Sequence, residues 1–381
     1  MSAPRIRLQI QPTVSHYREP LVRRLQQTSS FALKLVGRFK NAESTEAERI
    51  RSASEETLRA VQPLETLSAG GLWWEKGQVA AVWRGGFDAF VLEGRIHTVS
   101  TWVAAAAGRI RGRRVLLWGH GWKRPEDGLK RRLRLPFYHL VDGVMVYGEK
   151  AKELGVSYGV AESKIQVVYN SLYSEEQLPE QPLQAQDLEG RDPDDQATDE
   201  RPTLVYSSRL TTRHRLDTLA EALRDWPQQH MRPRVMIVGD GAERARLERV
   251  FADSGVDAQF LGAVYDLAVL KELYAGADLA LSIGGAGLNV IQALGFGVPV
   301  VAEAGHRDSS PEVEAVIEGQ TGRYYQVGSA ASLRAVLLET LDAPQQIEHM
   351  GQAGLDLVRR RYTAERHAAA IEAALHHFLA D

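Results

Sequence analysis

The sequence alternates short apolar runs with amphipathic segments of helical spacing, in two separate series. The first series contains IRLQI, AFVLE, RVLLWG, GVMVYG and IQVVYN, and the second contains TLVYSS, RVMIVGDG, AQFLG, DLALSIGG and PVVAEAG. Short apolar runs separated by helical segments are typical of strand–helix–strand units, whose strands pair in parallel. The sequence therefore predicts an α/β protein built on two parallel sheets.

An acidic segment separates the two series. Between residues 174 and 201 the strand pattern stops, and ten acidic residues stand against two arginines. Such a segment has too little apolar surface to build a core, so we expect an inter-domain linker there. The predicted organisation is a first domain at 1–173, the linker at 174–201, a second domain at 202–361, and a C-terminal helix at 362–381 that returns to the first domain.

Composition excludes several classes of protein. The chain has 381 residues, a net charge of −3 and no cysteine. The small net charge argues against a dedicated nucleic-acid binder, and the missing cysteines exclude disulfides, thiolate zinc sites and cysteine nucleophiles. The start of the chain lacks the apolar core of a signal peptide, and no run approaches the roughly 18 apolar residues of a membrane-spanning helix. We therefore expect a cytoplasmic protein with no nucleic-acid partner.

Three glycines crowd the turn before one helix of the second series. In LSIGGAGLNVIQALGFG, Gly284, Gly285 and Gly287 precede a helix that we expect to begin near Leu288. Helix N-termini at the carboxyl edge of a parallel sheet present unpaired amides, and glycine lets an anion approach them closely. We therefore expect the amides of residues 285 to 288 to grip a diphosphate. A tight turn with close strand–helix packing is the alternative interpretation.

Further polar residues are expected at edges of the same kind. The run RLTTRHR places Arg209, Arg213, His214 and Arg215 after an apolar strand, where guanidinium groups fit phosphate oxygens. In the first series, His120 lies between two glycines after the strand RVLLWG, which leaves its ring open to a ligand. A solvated basic loop and a packing histidine are the plain alternatives.

Taken in order, these motifs resemble the retaining GT-B glycosyltransferases of the group 1 or family 4 kind. The resemblance rests on SRLTTRHRLDTL, GDGAER, FLGAV, AGADLALS, GGAGLNVIQALGFGVPVVA and EVEAVIEGQTG in the second half, and on GHG and KIQVVYNSL in the first. It implies two Rossmann-like domains facing across a cleft. It also implies transfer of a hexose from a nucleoside-diphosphate sugar to a hydroxyl with retention of configuration, and without a metal or cofactor.

The resemblance also implies roles for particular residues. The donor diphosphate would contact Arg209, Arg213, His214, Arg215, Gly285, Gly287 and Leu288. The ribose and base would contact Asn289, Gln292, Val264 and Tyr265. Arg209 and His120 would take part in catalysis, with His120 holding the donor sugar or the acceptor hydroxyl, and Tyr17 and Arg18 would lie on the acceptor side.

The sequence departs from the family pattern at three of these positions. Gly284 and Gln292 stand where the family signature has glutamates, and His214 stands where the family has a diphosphate-binding lysine. Gln292 can still hydrogen-bond a ribose through its amide, and a neighbouring arginine can replace the lost lysine charge. A sugar-nucleotide epimerase, and an inactive homologue that binds a nucleotide or a partner protein, are the alternative functions.

A basic stretch bears on the acceptor. Residues 109 to 134 hold ten arginines and lysines against two acids, and GLKRRLRLPFYHL adds leucines and aromatic residues beside that charge. This composition fits a segment lying on an anionic membrane surface, so we expect peripheral contact with the inner face of the cell membrane and a glycan or lipid-linked acceptor. An ordinary solvated helix face, or a partner for the acidic linker, is the alternative.

Overall fold

The computed structural model describes four stretches of the chain, residues 3–39, 50–126, 128–184 and 201–380. The chain divides into two compact units: Met1–Ser174 together with Tyr362–Asp381, and Glu175–Arg361. Each unit is built on one parallel β-sheet. The prediction of an α/β protein with two parallel sheets is therefore confirmed.

The first unit holds nine strands and seven helices in its described part. The strands are β1 (Arg5–Ile10), β2 (Ala32–Gly37), β3 (Gln62–Pro63), β4 (Thr66–Ala69), β5 (Leu72–Glu75), β6 (Ala89–Glu93), β7 (Arg114–Gly119), β8 (Gly143–Val146) and β9 (Ile165–Val167). The helices are α1 (Glu19–Gln26), α2 (Glu55–Ala60), α3 (Gln78–Arg84), α4 (Val99–Arg111), α5 (Gly128–Leu140), α6 (Glu149–Ser157) and, from the end of the chain, α13 (Ala364–Ala380). The sheet order is β3-β2-β1-β6-β7-β8-β9, and β4 and β5 form a separate antiparallel hairpin.

Helices cover both faces of this sheet. Its central strands are therefore continuous runs of apolar residues, rather than alternating apolar and polar residues. Successive side chains of a strand point to opposite faces. In β6, Val91 belongs to one core cluster with Ile371 and Phe378 of α13, whereas Phe90 and Leu92 belong to a second cluster with residues of α4 and α5. The C-terminal helix thus completes one of the two cores of the first unit.

The second unit holds six strands and six helices in its described part. The strands are β10 (Thr203–Ser207), β11 (Arg234–Val238), β12 (Ala258–Gly262), β13 (Leu279–Ser282), β14 (Val300–Ala304) and β15 (Gly322–Gln326). The helices are α7 (Asp217–Arg224), α8 (Arg244–Asp253), α9 (Leu267–Ala275), α10 (Leu288–Gly295), α11 (Ala330–Leu341) and α12 (Pro344–Arg361). The sheet order β12-β11-β10-β13-β14-β15 makes β10, β13 and β14 neighbours, so the loops that follow these three strands meet at one edge.

The first part of the predicted linker packs on the second unit. The Leu183 amide donates to the Phe296 carbonyl at 3.1 Å, and the Arg359 guanidinium donates to the Pro179 carbonyl. A Cβ on Gly297 would lie 2.5 Å from Pro182, so only a glycine lets the segment approach this closely. Residues 185–200 of the predicted linker lie outside the described residues. Among the helices described, none is both long enough and apolar enough to cross a membrane.

The C-terminal helix offers a test of its role in the first unit. Phe378 is buried against Gly143 of β8, where a Cβ would lie 2.4 Å from the phenyl ring. We expect Phe378→Ala to lower the free energy of unfolding by about 3 kcal/mol, because it leaves a cavity in the core. Urea denaturation measures this loss. The matched control on the same helix is Glu372→Ala, which should change stability by less than about 0.5 kcal/mol; equal effects of the two variants would contradict this packing role.

Candidate functional site

The glycine turn after β13 packs directly on the loop after β10. Gly284 and Gly285 adopt φ values of 77° and 101°, in the left-handed region that favours glycine. A Cβ on Gly284 would lie 2.2 Å from the His214 Cα and 2.7 Å from the Arg213 carbonyl oxygen. No side chain fits there, so this contact requires glycine at position 284.

The amides of the turn are partly occupied by neighbouring side chains. Ala286 donates to the Ser309 hydroxyl at 3.1 Å, and Gly287 donates to the Asn289 side-chain oxygen at 2.9 Å. The expectation that all amides of residues 285 to 288 are exposed donors is therefore wrong for these two. The amides of Gly285 and Leu288 donate to no acceptor within the part of the chain that the structure describes. Two backbone donors thus remain for an anion at the start of α10.

A buried carboxylate, Glu303, holds the glycine turn in place through a hydrogen bond from the Gly284 amide. Glu303 ends the apolar strand β14 and is 5% exposed. Its two oxygens accept hydrogen bonds from the Gly284 amide at 2.7 Å and from the Gly328 amide at 3.1 Å, and the His306 Nε2 lies 3.8 Å away. Glu303 therefore ties three loops together at this edge. Glu303 is not among the residues predicted for the site, although a carboxylate near the end of the apolar run PVVAEAG indicates a polar group at the edge of the sheet.

His214 is buried and neutral, which corrects its predicted role. Its Nε2 lies 2.9 Å from Arg213 Nη2, and its Nδ1 lies 2.8 Å from the Thr211 hydroxyl. A guanidinium can only donate, so Nε2 accepts and Nδ1 carries the proton that goes to Thr211. Burial, together with the positive charges of Arg213 and Arg209 and nearby His306, lowers the pKa of His214 to about 4. His214 therefore brings no charge to a diphosphate at neutral pH and instead orients the Arg213 guanidinium.

The three arginines of the loop after β10 remain candidates for phosphate contact. Arg209, Arg213 and Arg215 are all exposed, and Arg215 adopts a left-handed φ of 42°. The guanidinium of Arg215 lies beside Gly328, with Nη1 3.3 Å from the position of an added Cβ. The loop that carries them contacts the glycine turn through Gly284. Their exposure, charge and position fit an anionic ligand at this edge.

The residues predicted for the ribose and base differ in their surroundings. Asn289 is committed to the turn, because its side-chain oxygen accepts from Gly287 and its nitrogen donates to the Ser282 hydroxyl at 3.1 Å. Both polar atoms of its side-chain amide are therefore bonded within the protein, which corrects its predicted contact with a nucleoside. Gln292 is half-buried on the same helix, and its side-chain amide makes no hydrogen bond to the described residues. Val264 and the exposed Tyr265 follow β12, three strands from β13 in the sheet, or roughly 14 Å away at the usual strand spacing.

His120 follows β7 in the first unit and is half-buried. Its ring meets Tyr147 edge to face, with 5.1 Å between the centroids. Burial lowers its pKa well below the usual value, and the positive charges of Lys123, Arg18 and Arg95 lower it further. A neutral imidazole among cations can hold a hydroxyl or an anionic ligand by hydrogen bonding.

Arg18 has a structural position rather than the predicted acceptor contact. It is 2% exposed, and its guanidinium donates to the Gln11 carbonyl at 2.9 Å, the Asn170 side-chain oxygen at 2.6 Å and the Tyr147 hydroxyl at 3.0 Å. These bonds hold the turn after β1 to the segments after β8 and β9. Tyr17 is half-buried, with the Arg18 guanidinium 5.1 Å from its ring centroid, and its acceptor role stays a prediction.

A buried ionic cluster at the carboxyl edge of the first sheet was not predicted. Arg38 follows β2 and pairs with Glu93 at the end of β6 at 2.6 Å, and it lies 3.7 Å from Glu75 of β5. Gln9 of β1 donates to Glu75 at 2.6 Å. Beside this cluster, Arg95 lies 4.2 Å from the Trp73 ring centroid and remains part-exposed. The cluster joins strands far apart in sequence, so no local motif could reveal it.

The cluster makes stability depend on pH. Burial, and then the charge of Glu93, raise the pKa of Glu75 to about 7, above its usual value near 4.3. The folded state therefore holds a proton that the unfolded state has lost, and this contribution to stability disappears as pH rises towards 7. In the unmodified protein we expect the free energy of unfolding to fall between about pH 5 and pH 7.5. In Glu75→Gln this fall should be smaller by roughly 1–3 kcal/mol, as measured by urea denaturation. A pH profile unchanged by Glu75→Gln, or changed as much by the exposed control Glu65→Gln, would contradict this assignment.

The chain is similar to known proteins in both sequence and structure. Residues 191–356, most of the second unit, match the family described as "Glycosyl transferases group 1". A GDP-mannose-dependent monoacylated alpha-(1-6)-phosphatidylinositol monomannoside mannosyltransferase of Corynebacterium glutamicum is 28% identical over 178 residues, which cover 44% of this chain and 45% of that one. A GDP-mannose-dependent alpha-(1-6)-phosphatidylinositol monomannoside mannosyltransferase of Mycolicibacterium smegmatis is 29% identical over 166 residues, covering 41% of this chain and 42% of that one. The chain thus spans less than half of the length of either relative.

Similarity of structure extends over the whole chain. The crystal structure of Anabaena HepE in complex with UDP superposes with a TM-score of 0.68 at 17% identity, covering 98% of this chain and 99% of that one. At this identity the likeness shows the fold alone. The expected fold class, the GT-B fold with its two Rossmann-like parallel-sheet domains, is therefore confirmed.

Proposed function

We propose that this chain, a member of the group 1 glycosyl transferases with the GT-B fold, transfers a sugar from a nucleoside-diphosphate sugar to a hydroxyl of a glycan or lipid-linked acceptor. The observation that carries this proposal is the meeting of the arginine loop after β10 with the glycine turn before α10. Both lie at the carboxyl edge of one sheet, inside the segment that matches the family. Ligands of open parallel sheets bind at that edge.

The chemistry demands stabilisation of the charge that develops on the departing diphosphate. Arg209, Arg213 and Arg215 supply fixed positive charge, and the amides of Gly285 and Leu288 supply backbone donors at a helix N-terminus. His214 keeps the Arg213 guanidinium oriented through its neutral Nε2. Such groups act without reorganising during the reaction, which is why their contribution is large.

The acceptor side of the proposal rests on the first unit. His120 is neutral, so its ring would donate a hydrogen bond to, or accept one from, a hydroxyl of the donor sugar or of the acceptor. In a retaining mechanism in which the leaving phosphate takes the acceptor proton, no protein base is required. The proposal includes retention of configuration and independence of metal ions, which the resemblance to the family implies.

GDP-mannose is the donor that we propose to test first, because both curated relatives are named GDP-mannose-dependent. Gln292 on α10 would contact the ribose through its amide, and Val264 and Tyr265 would contact the base. The phosphatidylinositol mannosides in the names of those relatives are lipids, which supports a lipid-linked acceptor.

A catalytically inactive, nucleotide-binding homologue is the second candidate. Two observations favour it: Gly284 excludes the family carboxylate by steric contact, and the amides of Ala286 and Gly287 are occupied. The epimerase alternative lacks comparable support, since it needs a carboxylate where Gly284 stands.

A donor screen separates the three functions. We expect the protein incubated with GDP-mannose, UDP-sugars and dTDP-sugars to hydrolyse one donor slowly, at the same rate with and without EDTA, because water replaces the missing acceptor. Liquid chromatography of the nucleotides and sugars measures the products. Isomerised sugar would support the epimerase, and thermal stabilisation by a nucleotide without turnover would support the inactive homologue. No reaction and no thermal shift with any donor would overturn the proposed function.

Arg209 tests the site within the active protein. We expect Arg209→Ala to reduce turnover at least about tenfold, because it removes a fixed charge from the leaving diphosphate. Its melting temperature should stay close to that of the unmodified chain, because Arg209 is exposed. Arg249→Ala, which removes an exposed arginine of α8 on the same unit, is the matched control and should retain full turnover. Equal turnover of the two variants would remove Arg209 from the site.

A further inference from the structure

Large apolar side chains are exposed on one part of the first unit. Six of them lie on the β4–β5 hairpin, on α3 and on α4: Leu67, Leu72, Trp74, Trp83, Val103 and Ile110. Trp83 is 48% exposed and Ile110 is 74% exposed. We call these six residues the tryptophan face. Exposed apolar clusters of this kind mark sites of interaction with a protein or a membrane.

The elements that carry the tryptophan face pack on one another. Helix α4 contacts both α3 and β5, and β5 pairs with β4 in the hairpin. An open groove joins β5 to α3, and its lining includes Trp74, Trp83 and Arg84. On α4, Val103 and Ile110 are seven residues apart and therefore share one face of the helix. Trp74 and Trp83 thus line one groove, and Val103 and Ile110 lie on a helix that packs beside the elements that form it.

Positive charge borders this surface. Arg84 lines the groove on α3, and Arg111 is exposed on α4. The Arg111 guanidinium lies 5.3 Å from the Trp83 ring centroid, which places a cation directly beside an exposed indole. The exposed acid Glu65 is paired with Lys76 at 2.7 Å, so it does not offset the arginines.

We propose that the tryptophan face is the surface by which this protein docks on an anionic lipid bilayer. Tryptophan side chains favour the membrane–water interface, where an apolar ring and a polar N–H are both accommodated. Arginines beside them attract phosphate headgroups, and each cation near an anionic surface adds to binding. This proposal rests on the proposed function and deepens it, since a transferase with a lipid-linked acceptor must reach the surface of a bilayer.

The proposal moves the predicted membrane contact away from α5. On that helix, Arg134 bonds to Glu126, to the Gly121 carbonyl and to the Tyr138 hydroxyl, and the Arg131 guanidinium lies 4.2 Å from the Tyr158 ring centroid. These two arginines are used in packing. Arg111 belongs both to the basic stretch of the sequence and to the border of the tryptophan face, whereas the Arg109 guanidinium donates to the His139 carbonyl at the end of α5 at 3.1 Å.

The tryptophan content of the chain makes the test selective. Of the seven tryptophans, Trp74 and Trp83 are exposed, whereas Trp73, Trp118, Trp122 and Trp226 are buried and Trp102 is part-buried. A lipid that carries a fluorescence quencher on its acyl chains should therefore report on insertion of Trp74 and Trp83. Brominated phosphatidylcholine is such a probe.

The experiment uses the full chain and vesicles that contain about 40% phosphatidylglycerol, with neutral vesicles as the comparison. We expect the protein to float with anionic vesicles, to bind at least about tenfold more weakly at about 0.5 M salt, and to be quenched by brominated lipid. Trp74→Ser with Trp83→Ser should reduce binding at least about tenfold and abolish the quenching. Met231→Ser, which removes an exposed apolar side chain of the second unit, is the matched control and should bind like the unmodified protein.

Several results would overturn the proposal. Failure of the protein to float with anionic vesicles, or binding to them that persists after both serine substitutions, would overturn the docking surface. Light scattering that shows a dimer broken by Trp83→Ser would also overturn it, because a second copy of the chain would then cover the tryptophan face. If the double variant unfolds, the docking surface is tested by lipid quenching of the unmodified protein and of the single variants Trp74→Ser and Trp83→Ser. Donor hydrolysis is measured without vesicles: an active protein that does not float overturns only the docking surface, whereas a floating protein without turnover overturns only the proposed function.

Discussion

The close approach of Gly284 to the backbone of Arg213 and His214 is the contact on which the candidate site depends. It places the start of α10 beside the arginine loop, and the Glu303 carboxylate holds the turn in that position through the Gly284 amide. A side chain at position 284 would separate the two loops, so a glutamate there is incompatible with this arrangement. The local geometry of this loop pair therefore admits only glycine at position 284.

The sheets and the edge that holds the site could be predicted from the sequence. Apolar runs and helical spacing define strands and helices locally, and parallel pairing brings their carboxyl ends to one edge. Hydrogen bonds across loops could not be predicted, because the pairing of Ser309 with Ala286 and of Asn289 with Gly287 depends on loop conformation. The sequence shows which residues are charged but not which are buried. Arg18 and His214 are therefore predicted to contact ligands, although in the structure both are buried and bonded to groups of the protein itself.

The two units treat charge differently at their sheet edges. In the first unit, Arg38 and Glu93 form a buried ion pair beside the buried Glu75, whereas the second unit exposes Arg209, Arg213 and Arg215. A buried ion pair adds little net stability because its desolvation offsets its attraction, but it fixes the relative positions of the strands that supply it. Exposed arginines on a short loop are suited to a ligand that brings its own negative charge. The first edge therefore pairs its charges within the protein, whereas the second presents positive charge to an anionic ligand.

The return of α13 to the first unit has a consequence for biosynthesis. Ile371, Leu375 and Phe378 of α13 complete a core whose strands precede the whole second unit in the sequence. Until α13 has been translated, that core has one face open to solvent, whereas the second unit already has all of its own residues. The first unit is thus begun before the second unit and completed after it, and termination of translation within α13 would leave apolar sheet exposed in the nascent protein.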